Sequence, residues 1–373
     1  TELLCNLQGQ VNNRTAIVAI RKDRWVANLF YRLADKNTRN GIQIFEDFCK
    51  SGHMKEKDIL AMRVLGDDAQ IPAYRFENVL LRKNRRFYNG DESNFVNLFA
   101  SDYNDDFPDP FVRADILNWL YQVQALSGPT GDKGLFQVSE LARSLQVYGH
   151  SLAVIYRELA YLARKNLVLC ENSAMPIEEG DLVKITIPGA LHLQMLRNVS
   201  YLSACAEDTL FKNTEVMTRI SNRLKFHESD SKLVVALNAR DLVNYLIEYR
   251  KEYLTNSDEL VSEKAIISSV DLNDSLHAVE QWIQADENLK KTISEIDYFT
   301  VDMDVDACVV SKNSGGVVCT IADKDVKGFI SSLEPKYSFP RDVYSKIKPG
   351  DILKCKVMEF DFTHRSFQLK YLN

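Results

Sequence analysis

The sequence predicts a multidomain chain, mainly α-helical, with an α+β unit in its middle and an all-β five-stranded barrel over its last seventy or so residues. Three observations carry this. At 373 residues the chain is too long for one ordinary core. Much of it places apolar residues at helical spacing, and its end holds five short β-favouring runs separated by turn formers. The divisions drawn from these patterns are 1–108, helical; 109–200, α+β; 201–298, a helical connector; and 299–373, the barrel.

The charge balance sets limits on partners. With 46 Lys and Arg against 52 Asp and Glu, the net charge is −6, which excludes coating nucleic acid through overall charge and confines any such binding to a local basic face. The seven cysteines, at 5, 49, 170, 205, 308, 319 and 355, are odd in number and never spaced C-x-x-C, so neither a disulfide framework nor a zinc ribbon is suggested. A reducing cytoplasm is the expected compartment. No run of eighteen apolar residues and no charged-then-apolar leader is present, and the chain opens on Thr1 rather than Met, as expected of a piece of something longer.

From Asp23 to Lys50 the residues Trp25, Leu29, Phe30 and Leu33, then Ile42, Phe45 and Phe48, predict two helices joined by a turn over residues 34–39. A loop rich in Asn, Asp and Pro runs from Asn89 to Pro110. Helices are then predicted over Phe111 to Leu126, over Val138 to Leu145 with Ser139 as its cap, and over Ser151 to Lys165. Strands are predicted over residues 166–170 and 181–187, the second closed by Pro188-Gly189. Three helices followed by a two-stranded hairpin is the order of a winged helix. Its third helix offers only Arg157, Arg164 and Lys165 beside Glu158, and its wing carries Glu171, Glu178, Glu179 and Asp181, so a protein contact is expected before a DNA contact.

The five terminal runs are Val305 to Val310, Gly316 to Ile321, Val326 to Ile330, Asp351 to Val357 and Ser366 to Lys370. A long insertion after the third, Ser331 to Ile347, is where an OB barrel carries extra structure. Gly315-Gly316-Val317-Val318, Val326-Lys327-Gly328-Phe329-Ile330, Ile347-Lys348-Pro349-Gly350-Asp351 and Asp361 with His364-Arg365 together resemble the S1 RNA-binding family. From Val301 onward ten acids face eleven bases, about +1 against about −7 for the rest. The resemblance implies a grip on single-stranded RNA by stacking and phosphate contacts, with Phe329, Lys327, Lys354, His364 and Arg365 as the binding residues. The family's aromatics after the first strand are replaced here by Ser314-Gly315-Gly316-Val317, which removes stacking platforms. On the residues alone, Phe329 as barrel core and the lysines as a solvated face stays an open alternative.

Residues 33–48, from Leu33 through Arg39 and Gly41 to Phe48, followed by Ser51-Gly52-His53, resemble the helical lid of AAA+ and STAND-type ATPases. That resemblance implies Arg39 as a nucleotide sensor and a winged helix after the lid. A plain helical hairpin with a surface arginine is the alternative. No G-x-x-x-x-G-K-[ST] loop exists, and Gly128 to Gly134 has the wrong spacing, so ATP with magnesium would need a core upstream of Thr1.

No H-E-x-x-H, G-x-S-x-G or complete calcium loop occurs; Asp302, Asp304 and Asp306 alternate as on one strand face but lack the following glycine and glutamate. The expectation is a chain with no catalytic or metal residues of its own and no cofactor. It reads as the regulatory carboxy-terminal portion of a larger ATPase, with a barrel that senses single-stranded RNA or a partner. A self-sufficient scaffold binding or self-associating through protein contacts, or a winged-helix DNA-binding regulator, is the alternative.

Overall fold

The computed structural model describes residues 20–21, 23–53, 64, 73–101, 109–126, 134–172, 176–226, 231–253, 268–321, 326–333, 339 and 341–372. Contacts divide the chain into two compact units, residues 1–222 with 234–282, and residues 223–233 with 283–373. The stretch 201–298 read as one connector is thus shared between them. No helix among the described residues is long and apolar enough to cross a membrane.

The first unit begins with the expected hairpin, α1 (Arg24–Leu33) and α2 (Thr38–Lys50). Asp23 caps α1 by accepting the amides of Trp25 and Val26, and Asn37 caps α2 by accepting those of Arg39 and Asn40. Asp35 and Lys36 turn the chain with positive φ, 49° and 60°. The buried faces are Val26, Leu29 and Leu33 of α1 with Ile44 and Phe48 of α2, whereas Trp25 and Ile42 of the predicted apolar spacing are exposed; Phe48 meets Phe76 of α3 (Ala73–Arg82) at 5.3 Å between ring centroids.

Next come α4 (Val112–Leu126), β1 (Phe136–Gln137), α5 (Val138–Val147), α6 (Leu152–Arg164), β2 (Val168–Cys170) and β3 (Leu182–Ile185). The strands form an antiparallel sheet in the order β1-β3-β2. Two expectations are corrected here. Ser139 is not a cap, because it lies inside α5; Gln137 occupies the cap position without a side-chain bond, and the first amides of α5 donate instead to the carbonyls of Asp181 and Glu179. Pro188-Gly189 does not close a strand. It opens α7 (Ile187–Met195), where Thr186 Oγ1 accepts the Gly189 amide and proline suits the first turn, whose amides need no helical partner. A side chain at 189 would bring a Cβ within 2.2 Å of the Leu167 carbonyl oxygen.

Four further helices follow, α8 (Val199–Asp208), α9 (Thr214–Phe226), α10 (Lys232–Tyr253) and α11 (Asn273–Gln284). A buried charged cluster fastens parts of the first unit that are far apart in sequence. His150 Nδ1 is 2.5 Å from Asp109 Oδ2 and its Nε2 is 2.9 Å from Asp115 Oδ2, while Asp115 also accepts the Val270 amide and the Ser269 hydroxyl. Burial by itself would push the His150 imidazole down. The hydrogen bonds and charges of the two aspartates outweigh it and bring it up to about 9, so the ring is an imidazolium near neutrality.

The second unit contains α12 (Glu287–Tyr298), β4 (Asp304–Asn313), β5 (Gly316–Ile321), β6 (Val326–Ser331), α13 (Arg341–Lys346), β7 (Ile352–Asp361) and β8 (Ser366–Tyr371). The five strands close as β4-β5-β6-β8-β7, with β7 returning to pair β4. Only the β6–β8 pair among them is parallel. This closed order fits an OB fold. Alternation sends Val305, Ala307 and Val309 of β4, Val317, Cys319 and Ile321 of β5, and Phe367 and Leu369 of β8 inward. Burial pushes the interior thiols of Cys319 and Cys355 up to about 12. Asp302 is not on the strand with Asp304 and Asp306, since it sits in the preceding turn at φ 68°.

Gly316 is required by close approach, because a Cβ there would lie 2.3 Å from the Ile330 carbonyl oxygen and 2.7 Å from Phe329 Cζ. Gly316→Ala is therefore expected to cost the barrel roughly 1–3 kcal/mol, read as a lower urea midpoint; an unchanged midpoint would contradict the packing described. For His150 the folded pKa lies above the unfolded value of about 6.5, so its stabilisation is full below that pH and is lost as pH rises through about 9. Stability of the first unit should fall across that window by on the order of 3 kcal/mol, and His150→Asn should flatten the profile.

Candidate nucleic-acid interface

On β6 the outward residues are Lys327, exposed, and Phe329, half-buried. Register sets Thr320 and Val318 of β5 beside them, and sets Gln368 of β8 beside Phe329 on the other side. The tip of the Phe329 ring reaches the bare backbone at Gly316. The ring is thus backed by protein at its tip while its body stays partly open, neither core nor free surface.

The β7–β8 turn completes this wall. Asp361 Oδ1 accepts the amides of Thr363 and His364 at 2.8 and 3.1 Å, and its Oδ2 accepts from His364 Nδ1 at 2.8 Å and from Gln368 Nε2 at 3.4 Å. Partial burial pushes the Asp361 carboxyl up, but these hydrogen bonds outweigh it and hold the group below the usual carboxylate range. Arg365 follows at φ 49° with its side chain exposed.

The described cations of the barrel fall into two sets, and Lys346 and Lys348, exposed at the end of α13 and just after it, belong with the unpaired one. Lys327, Arg365 and Lys370 have no ion-pair or side-chain hydrogen-bond partner among the described residues. Lys354 is 2.7 Å from Asp306, Lys356 is 3.9 Å from both Asp302 and Asp304, and Lys312 lies 4.3 Å over the Tyr344 ring. The structure therefore brings Lys327, Phe329, His364 and Arg365 to the β6–β8 side and leaves Lys354 elsewhere. Lys354 sits on β7 opposite Asp306 of β4, five residues before Glu359, the β7 residue that pairs Gln368, or about 17 Å along the strand. Gln368 and Lys370 were missed, although outward alternation along Ser366–Tyr371 marks both.

Outside the barrel, Arg39 is exposed in the first turn of α2, and its amide is already taken by Asn37. Gly128 to Lys133 lies outside the described residues. Arg157 donates to Glu158, which also receives Arg113, while Glu171, Glu178 and Glu179 stand exposed on the loops around β2 and β3. No group of three or more metal-ligating side chains able to hold an ion occurs among the described residues.

No family model matches the chain, and no curated protein matches it. Among solved structures it is similar to Mycoplasma genitalium RNase R in complex with ribose methylated single-stranded RNA, at 14% identity and a TM-score of 0.20 over 70% of this chain and 40% of that one. The apo form of the same enzyme aligns at 13% identity and a TM-score of 0.19 over 80% and 49%. The chain thus spans under half the length of either. Superpositions this loose establish no shared architecture; the OB assignment stands on the strand order.

Because Asp361 gathers the β7–β8 turn, Asp361→Ala should lower barrel stability by about 1–2 kcal/mol in urea denaturation, with Asp361→Asn recovering part of the loss. Equal midpoints for Asp361→Ala and the native chain would rule out that role.

Proposed function

We propose that the barrel binds single-stranded RNA across the outer face of β5, β6 and β8, and that the rest of the chain is a body for protein contacts. The observation that carries this reading is the half-buried Phe329 flanked by Lys327, Arg365 and Lys370, cations left uncommitted while those of the β4–β7 wall are paired. A base stacked on one aromatic contributes about 1–3 kcal/mol, and unpaired Lys and Arg beside it follow the phosphates without reading sequence. The strand 2–3 face with the first and last inter-strand loops is where OB barrels receive oligonucleotides, and Lys327, Phe329, His364 and Arg365 occupy that face and the last of those loops. The S1-like motifs favour RNA as the strand.

The order α4, α5, α6, β2, β3 supports a winged helix in the first unit. Its acidic loops and the Arg157–Glu158–Arg113 pairing favour protein contact over duplex DNA. The reading as part of a larger ATPase has the α1–α2 hairpin and this element order in its favour, and would need a phosphate-binding core from outside residues 1–373.

Fluorescence anisotropy with labelled single-stranded RNA, single-stranded DNA and duplex DNA across a salt series tests the barrel. Phe329→Ala is expected to raise Kd for single-stranded RNA about tenfold, and Lys327→Glu to weaken binding and shallow the salt slope by about one. Lys354→Ala should leave Kd within about twofold, since Asp306 already holds that charge. Absence of single-strand binding at low salt would overturn the reading.

A further inference from the structure

Both helices of the opening hairpin carry a second apolar stripe beside the one that packs into the core. On α1, Ala27, Phe30, Tyr31 and Ala34 recur at i, i+3, i+4 and i+7, next to the buried Val26, Leu29 and Leu33. On α2, Gly41, Ile42 and Phe45 stand beside the buried Ile44 and Phe48. A helix packed on one side needs only one such stripe. The two additional stripes line a single groove of about 530 Å3, to which Ile20 adds a further apolar side chain.

The groove is open, and its charge has one sign. Tyr31 and Ile42 are each 56% exposed, while Phe30 and Phe45 stay half-buried. A small molecule in so open a trough would keep much of its surface in water, whereas a helix laid along it would cover an apolar stripe of its own. From Ala27 to Ala34 the α1 wall runs about 10 Å, the spacing of i and i+7 anchors on a partner helix. The charged residues among the described lining are Arg21 and Lys36, and neither has an ion pair or a side-chain hydrogen bond among the described residues. The acids of the hairpin face other partners: Asp23 caps α1, Asp35 accepts from Asn166 at 3.3 Å, Glu46 pairs with Lys50 and Asp47 with Lys83. Residues 20–50 carry seven bases against four acids, in a chain whose net charge is −6. An acidic partner meets complementary charge here, whereas a second copy docking groove to groove would set the same cations face to face.

We infer that this groove receives an acidic amphipathic helix of a partner protein, with the partner's apolar stripe on Phe30, Tyr31, Ile42 and Phe45 and its carboxylates at Arg21 and Lys36. The inference rests on the reading of the first unit as a body for protein contacts, and gives that body a surface and a partner chemistry. No residue of the acidic loops around β2 and β3 is among the described lining, so the two surfaces can be separated by experiment. The groove is independent of the barrel, since all its described residues lie in the first unit.

The test is fluorescence anisotropy of the full chain with a labelled peptide of about 14 residues, four helical turns, carrying Leu at i, i+3, i+4 and i+7 and Glu on both flanks. It is expected to bind at micromolar concentration, with a version bearing Lys in place of Glu about tenfold weaker. Ile42→Glu should reduce affinity about tenfold with an unchanged thermal midpoint, because that side chain is more than half exposed. Lys36→Glu should lose about fivefold for the Glu peptide and gain as much for the Lys peptide. Phe329→Ala in the barrel and the double variant Glu178→Ala, Glu179→Ala should bind as the native chain does. No binding at submillimolar concentration, equal binding of the Lys peptide, or undiminished binding by Ile42→Glu would each overturn the inference. Self-association in sedimentation that Ile42→Glu abolishes would assign the groove to a second copy, and faster hydrogen exchange of residues 1–19 in Ile42→Glu would assign it to the chain's own start; either result overturns it. Loss of binding in the Glu178, Glu179 variant alone would overturn the groove and leave the protein-contact reading standing.

Discussion

The antiparallel pairing of β4 with β7 is the contact on which the second unit depends. Without it the five strands are an open sheet with two unpaired edges, and the interior set by Ala307, Cys319 and Leu369 has no closed space to fill. The same pairing also distributes charge. Asp304 falls opposite Lys356 and Asp306 opposite Lys354, so closing the barrel consumes the cations of one wall. Lys327 instead falls opposite Thr320 and Lys370 opposite Lys356, so neither meets an acid across the strands, although Glu359 stands opposite Gln368. Closure and polarity have one cause, the register of two strands.

A different principle holds the first unit. Its helices meet through aliphatic and aromatic faces, but regions around residues 109, 115, 150 and 270 are fastened by a buried imidazolium between two carboxylates. Removing one partner of such a cluster leaves an uncompensated charge away from water, so its three groups depend on one another. Glu207 plays a comparable part, joining the buried Arg82 to the amide of Tyr88 from far along the chain.

How much of this the residues disclosed depends on how far apart the determining contacts lie in sequence. The α1–α2 hairpin was legible because its caps, Asp23 and Asn37, and its apolar stripe are local. The barrel strands were legible because alternation and the Pro349-Gly350-Asp351 turn repeat within a few residues. The two-residue β1 was not, since no periodicity fits in two positions, and Pro188-Gly189 was misread because its role rests on the Thr186 hydroxyl and on Leu167, some twenty residues earlier. At the interface, Phe329, Lys327, His364 and Arg365 lie within two short motifs. That Lys354 pairs with Asp306 was not legible, because that partner is 48 positions away.

The alternation along β6 from Val326 to Ile330 has an evolutionary consequence. Val326, Gly328 and Ile330 answer to the fold, whereas the exposed Lys327 between them does not, and Phe329 answers to it only at the tip of its ring. Exchanges at position 327 leave the interior packing intact, so the surface chemistry there can drift without first clearing a stability threshold, while position 329 is tied to Gly316. The freedom to drift and the demand for packing thus sit side by side within five residues.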